Sequence, residues 1–301
     1  MGAPEGAVLL HVGGLTTGAE DFVVYLAANR AGLRRAGFGL SCFDPSGVGP
    51  ESLGPVMPEP GADDAAIVAA GEAIARKFGP DRKVGSEGFI ISAPDLAGPA
   101  TDLMLGRFHP SARMRARALR LAIGQPVDRL VLTIQPYTEL FHSTWLMLAV
   151  DRPMEPFMDY ADAMHAFQGG WADLAQVLVE ELEVRELVVV AEPASPRQLL
   201  LHLRPGLLLR QPVVPLPKPR ATPSAVAMLQ RCILQGMRLQ HGQRDRLIAF
   251  HARQPQVRSE SVFSSLALSD LRGRYVADLD TLAAMAGTTL IGAEERAMAA
   301  E

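Results

Sequence analysis

Four short runs of mostly branched aliphatic residues, Val8 to Val12, Phe89 to Ser92, Leu130 to Ile134 and Leu187 to Val190, are set apart by stretches of helical periodicity. Each run is too short and too evenly apolar for a helix or for a strand with one wet face, so it reads as a strand buried on both sides. Between the runs, Glu20 to Arg35 places Phe22, Tyr25, Leu26 and Leu33 on one side. Asp64 to Phe78 does the same with Ile67, Gly71, Ile74, Ala75 and Phe78. Met114, Ala118, Leu121 and Ala122 repeat the spacing, as do Trp171, Leu174, Leu178 and Leu182. Strands alternating with helices predict an α/β fold: a central, mostly parallel sheet flanked by helices in three layers.

Two stretches interrupt the pattern. Phe43 to Pro60 is rich in Gly and Pro and predicts an irregular surface loop. Gln211 to Pro223 holds five prolines and reads as an extended connection. It divides an α/β core, residues 1–212, from a helical C-terminal extension, residues 213–301, packed on the same domain. Pro223 to Gln240 and Ser269 to Ala286 are the helices expected there.

With 301 residues, 48% of them hydrophobic, the chain can bury a full core, which excludes intrinsic disorder. Its two cysteines, Cys42 and Cys232, exclude a disulfide scaffold. A net charge of −4 gives no general reason to bind nucleic acid, and no apolar run is long enough to span a bilayer. The first residues lack the basic segment of a secretory signal, so the expected compartment is the cytoplasm. Only Lys77, Lys83 and Lys218 among the 29 basic residues are lysine, a habit of arginine-rich composition.

The chemistry-bearing feature is the first strand and its sequel, His11-Val12-Gly13-Gly14-Leu15-Thr16-Thr17-Gly18-Ala19-Glu20-Asp21. A strand, a Gly/Thr loop and a helix can aim backbone N–H groups and a helix N-terminus at an anion. Gly13 and Gly18 have the spacing of a nucleotide P-loop, but Ala19 and Glu20 stand where that motif continues with Lys and Ser/Thr. The side chains that would hold phosphate and magnesium are missing, which argues against an ordinary ATPase or GTPase. The plainer reading is a tight turn in which Thr17 or Asp21 caps the helix.

The chain resembles bacterial carbohydrate-type sulfotransferases. Members open with a strand ending His-Ile-Gly, a Lys-Thr-Gly-Thr-Thr loop and a helix closing Leu-x-x-Asn-Arg. Here His11-Val12-Gly13, Thr17-Gly18 and Leu26-Ala27-Ala28-Asn29-Arg30 keep that register. Phe89 to Ser92 is similar to the second strand of the family, which runs into a Ser-Ser-Glu-like segment. Leu130 to Trp145 is similar to its third strand and helix, and Pro156-Phe157, Gly170-Trp171 and Leu187 to Val190 to its later segments. Arg274-Tyr275-Val276-Ala277-Asp278-Leu279 resembles its C-terminal Tyr-x-x-Asp-Leu helix.

The resemblance implies a P-loop-like fold. It also implies transfer of a sulfuryl group from 3′-phosphoadenosine-5′-phosphosulfate to the hydroxyl of a carbohydrate or other small molecule, without a metal. Gly13, Gly14, Thr16, Thr17, Gly18, Gln135 and Ser143 would then line the donor site, and His11, Glu20 and Asp95 are the candidate bases. Thr16 stands at the position of the loop lysine, and Gln135 at that of the arginine that grips the 3′-phosphate; Ser143 matches its serine. Ala19 and Glu20 replace two hydroxyl residues, and Pro94 takes the acidic position, leaving Asp95 one residue out of register. One ion contact near a surface is worth roughly 4 kcal/mol before solvation costs, so two missing cations imply weak donor binding. The expectation is a sulfotransferase-like protein with an eroded donor site and weakened or lost catalysis.

Two alternatives remain open at this level. One is an active sulfotransferase with unfamiliar donor geometry. The other is an interaction or glycan-binding protein that uses the arginine-rich face Arg107 to Arg120, where Arg113, Arg117 and Arg120 share one side and Arg115 stands apart. Lys218, Arg220 and Arg210 read as solvated charges. Ser92 lacks the flanking glycines of a nucleophile elbow, so a hydrolase triad has no support. Trp145 and Trp171 suit the core.

Overall fold

In the computed structural model, residues 6–43, 52–78, 86–210, 212–215, 220–255 and 263–292 are described. Residues 44–51 of the expected loop after Phe43, and residues 211 and 216–219 of the proline-rich connection, Lys218 among them, lie outside them.

Six strands form one sheet in the order β2-β3-β1-β4-β5-β6. They are β1 (Ala7–Gly13), β2 (Phe38–Cys42), β3 (Gly88–Ser92), β4 (Arg129–Thr133), β5 (Glu186–Val190) and β6 (Thr288–Ile291). Every ladder is parallel. The four expected strands are the inner ones, β3-β1-β4-β5, and the two edges are additions. β2, Phe-Gly-Leu-Ser-Cys, has Gly and Ser breaking its apolar run. β6, Thr-Thr-Leu-Ile, is short and only half-buried. The C-terminal extension is helical, as expected, and in addition supplies this edge strand to the sheet of the core.

The strands alternate between two apolar layers. Val8, Leu10 and Val12 of β1 face the larger layer with α3 (Asp64–Lys77), α5 (Ala112–Ile123), α6 (Tyr137–Ala149), α8 (Trp171–Leu182) and α12 (Ser265–Ala284). Leu9 faces the smaller layer, with Phe22, Tyr25 and Leu26 of α1 (Glu20–Ala28), Leu33 of α2 (Arg30–Arg35) and Leu199, Leu200 and Leu203 of α9 (Pro196–Leu203). This period of two is what a strand buried on both faces requires.

The single helix expected over Glu20 to Arg35 breaks at Asn29. The Asn29 side-chain amide donates to the carbonyls of Tyr25 and Val213, and its oxygen accepts the Val213 N–H, which ties the α1–α2 joint to the segment after α9. A polar side chain that bonds backbone in this way competes with helix continuation. Short helices α4 (Ala100–Met104) and α7 (Ala161–His165) fill the β3–β4 and β4–β5 connections.

In the extension, α10 (Pro223–Leu234) docks on the end of α6 through buried Gln230. That amide donates to the carbonyls of Ala149 and Arg152 and accepts from the N–H of Met154. The expected helix Pro223 to Gln240 thus stops at Leu234, and α11 (His241–Ala252), which no apolar stripe announced, follows. Trp171 is buried as expected, whereas Trp145 is half-exposed and donates to the Glu155 carbonyl.

Candidate functional site

In parallel sheets, ligands gather beyond the carboxyl ends of the strands where successive crossovers take opposite faces. Here the chain leaves β1 for the α1 face but leaves both its neighbours, β3 and β4, for the other. The loop after β1 therefore sits at the switch point. A cleft of about 200 Å³ opens beside it, lined by Thr16, Asp21, Gln135, Glu139, Glu192 and Arg220 among others. A hollow of about 410 Å³ lies at the opposite ends of β2 and β3, near Phe38 and Glu87, and no candidate residue reaches it.

The loop itself is knitted shut by its own side chains. The Thr17 hydroxyl donates to the Gly14 carbonyl at 2.7 Å and lies 2.7 Å from the Thr133 hydroxyl. Gly13 is required by this packing, since a Cβ there would come within 1.8 Å of Thr133 Oγ1. Gly18 is required by its backbone, at φ +91°. Neither Thr17 nor Asp21 caps α1, so the expected cap is replaced by these bonds inside the turn.

Thr16, Gln135 and Ser143, more than a hundred residues apart in part, meet at one point. The Gln135 amide donates to Thr16 Oγ1 at 2.6 Å and to Ser143 Oγ at 3.2 Å, and the Ser143 hydroxyl lies 2.8 Å from Thr16 Oγ1. Ser143 also reaches the carbonyls of Glu139 and Leu140 one turn back. The Trp171 indole N–H holds the Gln135 carbonyl at 2.9 Å, which fixes the end of β4 against α8.

Among the described residues that line the cleft, one is a cation. Arg220, read from sequence as a solvated charge, donates to the Thr16 carbonyl at 3.3 Å and stands 3.8 Å from the Asp21 carboxylate. Asp21, Glu139 and Glu192 outnumber it among the lining groups. No sequence signal pointed to Arg220, because its approach depends on where the segment after α9 returns.

The three candidate bases are not brought together: among the described residues no hydrogen bond or ion pair joins any two of them. Glu20 is exposed at the start of α1 and is not among the cleft-lining groups. His11 is fully buried, with its ring edge on Phe22 and Nδ1 2.9 Å from the Ser92 hydroxyl. Burial pushes its pKa down to about 3, so it stays neutral and walled off from the cleft, a core histidine. Asp95 is buried in the loop after β3, where its carboxylate accepts the Gly54 N–H and burial pushes its pKa up to about 6.

The arginine-rich face is neutralised by neighbours. Arg113 pairs with Glu180 and Glu181, Arg117 with Asp64, Arg120 with Glu183 and Arg107 with Asp102. Arg115 turns inward, 3% exposed, and donates to the Asp95 carbonyl. The expected basic surface is thus a set of ion pairs that ties α5 to α3 and α8.

Two stretches that sequence similarity singled out separately also meet. The Asp278 carboxylate of α12 accepts the N–H of Trp171 at the start of α8 and the hydroxyl of Tyr137. A carboxylate supplied to a helix N-terminus from another helix holds the C-terminal extension on the core. Among the described residues, no helix is long and apolar enough to cross a membrane.

Fold and site together define a class: a Rossmann-like parallel α/β protein with a small polar cleft at its switch point. No family model, curated protein or solved structure matches the chain.

Proposed function

We propose that this chain is a sulfotransferase-like protein of P-loop-like fold whose donor site no longer supports sulfuryl transfer. The observation that carries the reading is the meeting of Thr16, Gln135 and Ser143. The resemblance assigns these positions to the loop lysine, the phosphate-gripping arginine and the phosphate serine of one donor site, and they share one hydrogen-bonded cluster. Their meeting is what one donor site would require, and it supports that register.

The same cluster supports loss of the activity. A bound phosphosulfate needs charge-assisted donors and a cation where charge builds on the leaving phosphate. Here a hydroxyl and an amide stand in their place and spend hydrogen bonds on one another. Among the described residues, three carboxylates line the cleft against the guanidinium of Arg220. Such a site repels a dense anion.

Calorimetry with 3′-phosphoadenosine-5′-phosphate tests this. Wild type should bind weakly or not at all. The double change Thr16→Lys with Gln135→Arg should raise affinity by about tenfold or more, less than two full ion contacts because the carboxylates remain. Micromolar binding by wild type that is lost in Ser143→Ala overturns the eroded-site reading, and no gain from the double change overturns the register.

Arg220 favours a second reading, an active enzyme with atypical donor geometry and a small-molecule or carbohydrate hydroxyl as acceptor. In that case the cation comes from the segment after α9 instead of from the loop. Donor binding abolished by Arg220→Ala would establish it.

A further inference from the structure

Helices α10 and α11 form a hairpin in which α10 is docked on the core and α11 rests on α10. His251 Nδ1 of α11 lies 3.1 Å from Ser224 Oγ, and an ion pair of Arg244 with Asp151 ties the helix to the residues after α6. The side of α11 that carries Arg244, Leu247, Ile248 and His251 is half-buried by these contacts. The opposite side carries Arg246, Phe250 and Arg253, spaced by four and three residues and so aligned in one outward stripe. The turn between the helices is fixed: the N–H groups of Gly236 and Met237 donate to the carbonyls of Ile233 and Cys232, with Gly236 at φ +70°. Every residue from Leu234 to Arg238 is exposed on it.

Two kinds of side chain share this outer surface. Leu234, at 75%, is the most exposed large apolar residue among the described ones, and Phe250, at 60%, is the only exposed Phe, Tyr or Trp among them. Met237 is exposed in the same turn as Leu234. From Pro223 to Gln254, five arginines meet one carboxylate, Asp245, a local charge of +4 in a chain whose net charge is −4. Arg244 is spent on Asp151, whereas Arg231, Arg238, Arg246 and Arg253 are exposed and stand in no ion pair among the described residues. The arginines on the outer side of α5 are neutralised by carboxylates, and those of the hairpin are not.

One exposed apolar side chain is ordinary. Exposed apolar side chains interleaved with unpaired arginines on one hairpin ask for a partner that is anionic and apolar at the same surface. A nucleic-acid backbone supplies phosphates but nothing to cover Leu234 and Met237. The boundary of an anionic bilayer supplies both, phosphates for guanidinium groups and acyl chains just beneath them for Leu, Met and Phe. At twelve residues α11 is too short to cross a bilayer, so its place is along the surface.

We infer that the α10–α11 hairpin docks this protein on the surface of an anionic bilayer, with Leu234, Met237 and Phe250 entering below the headgroups and Arg238, Arg246 and Arg253 binding lipid phosphates. The docking surface stands whether or not the cleft at β1 binds a nucleotide.

The test is sedimentation of the full chain with vesicles of phosphatidylcholine and phosphatidylglycerol in equal parts, against vesicles of phosphatidylcholine alone. The mixed vesicles should carry the protein down at about 0.1 M salt and release most of it at about 0.5 M, and phosphatidylcholine alone should leave it in solution. Arg246→Gln should weaken binding about fivefold, and Arg246→Gln with Arg253→Gln about twenty-fivefold. Leu234→Ser with Phe250→Ser should weaken it by about tenfold or more at the lower salt, through lost apolar burial. No binding to the mixed vesicles, equal binding to both kinds, or a double serine variant that binds as well as wild type overturns the proposal. Polyglutamate bound as tightly as the mixed vesicles also overturns it and assigns the arginines to an acidic protein partner. The variants replace exposed side chains, and the wild-type comparison decides the matter without them.

Discussion

Two polar regions flank β1 at the carboxyl end of the sheet, and they are built on opposite principles. On the β4 side, Thr16, Gln135 and Ser143 satisfy one another, and Thr17 bonds Gly14 and Thr133. On the β3 side, Asp95, His109, Ser111 and Arg115 are buried with polar atoms left over. The region that resembles a donor site carries no charge at Thr16 or Gln135 and closes on itself, while unspent hydrogen-bonding capacity sits around Asp95, a candidate base, and Arg115 of the arginine-rich stretch. A polar cluster advertises ligand binding by what it leaves unsatisfied more than by its residue types.

The sharpest way to break this comparison is truncation on each side. Arg115→Met should cost about 2–3 kcal/mol in urea denaturation, because it leaves the buried Asp95 carbonyl without its guanidinium donor. Ser143→Ala should cost only about 1 kcal/mol, since Gln135 and Thr16 retain each other. Equal costs would mean that the two clusters do not differ in kind.

Acid titration is the next largest lever. His11 and His109 have pKa values pushed by burial down to about 3 and about 4, from 6.5. Unfolded histidines take up protons near pH 6.5 and folded ones do not, so their contribution is full above that pH and is lost as pH falls toward 4 and 3. Asp95 runs the other way. Its pKa is raised from 3.8 to about 6, so its contribution is full below 3.8 and is lost as pH rises through 6. Stability measured by urea midpoints should therefore fall between pH 6.5 and 4, and His11→Asn, which keeps a partner for Ser92, should flatten the slope. Asp95→Asn should steepen it. A slope unchanged in both variants would show that neither group is buried in solution as it is here.

The smallest expected effect sharpens the comparison by marking its boundary. Arg117→Glu, on the outer face of α5, should change stability by no more than about 1 kcal/mol, because its pair with Asp64 is exposed. A pull-down partner lost through that one change would return the arginine face to consideration as a docking surface.

Much of the fold was legible in the residues. The inner strands announced themselves because a strand buried on both faces must be continuously apolar, and α3, α5 and α8 because each buries one stripe. The edges did not: β2 carries Gly39 and Ser41, and β6 is a half-buried strand of four residues of which only Leu290 and Ile291 pack on the two layers, too few to set a pattern. Asn29 was visible as part of a similar motif, but its break of the helix depends on Val213, which is 184 residues away. Trp171 and Asp278 were each noted, and nothing local indicated that one would accept a hydrogen bond from the other.

The site divides in the same way. Residue identity alone determined that positions 16 and 135 carry no charge, which arginine-rich composition does not explain, since that habit exchanges lysine for arginine and keeps the cation. Only the tertiary structure decided that Thr16, Gln135 and Ser143 share a point, that Arg220 returns to the loop and that His11 is sealed beside Phe22. It alone decided that the arginines of α5 are spent on carboxylates and that Arg115 is buried with Asp95. The physical reason is that charge and periodicity belong to residues, whereas desolvation and hydrogen-bond satisfaction belong to neighbourhoods, and a parallel sheet assembles its neighbourhoods from segments far apart in the chain.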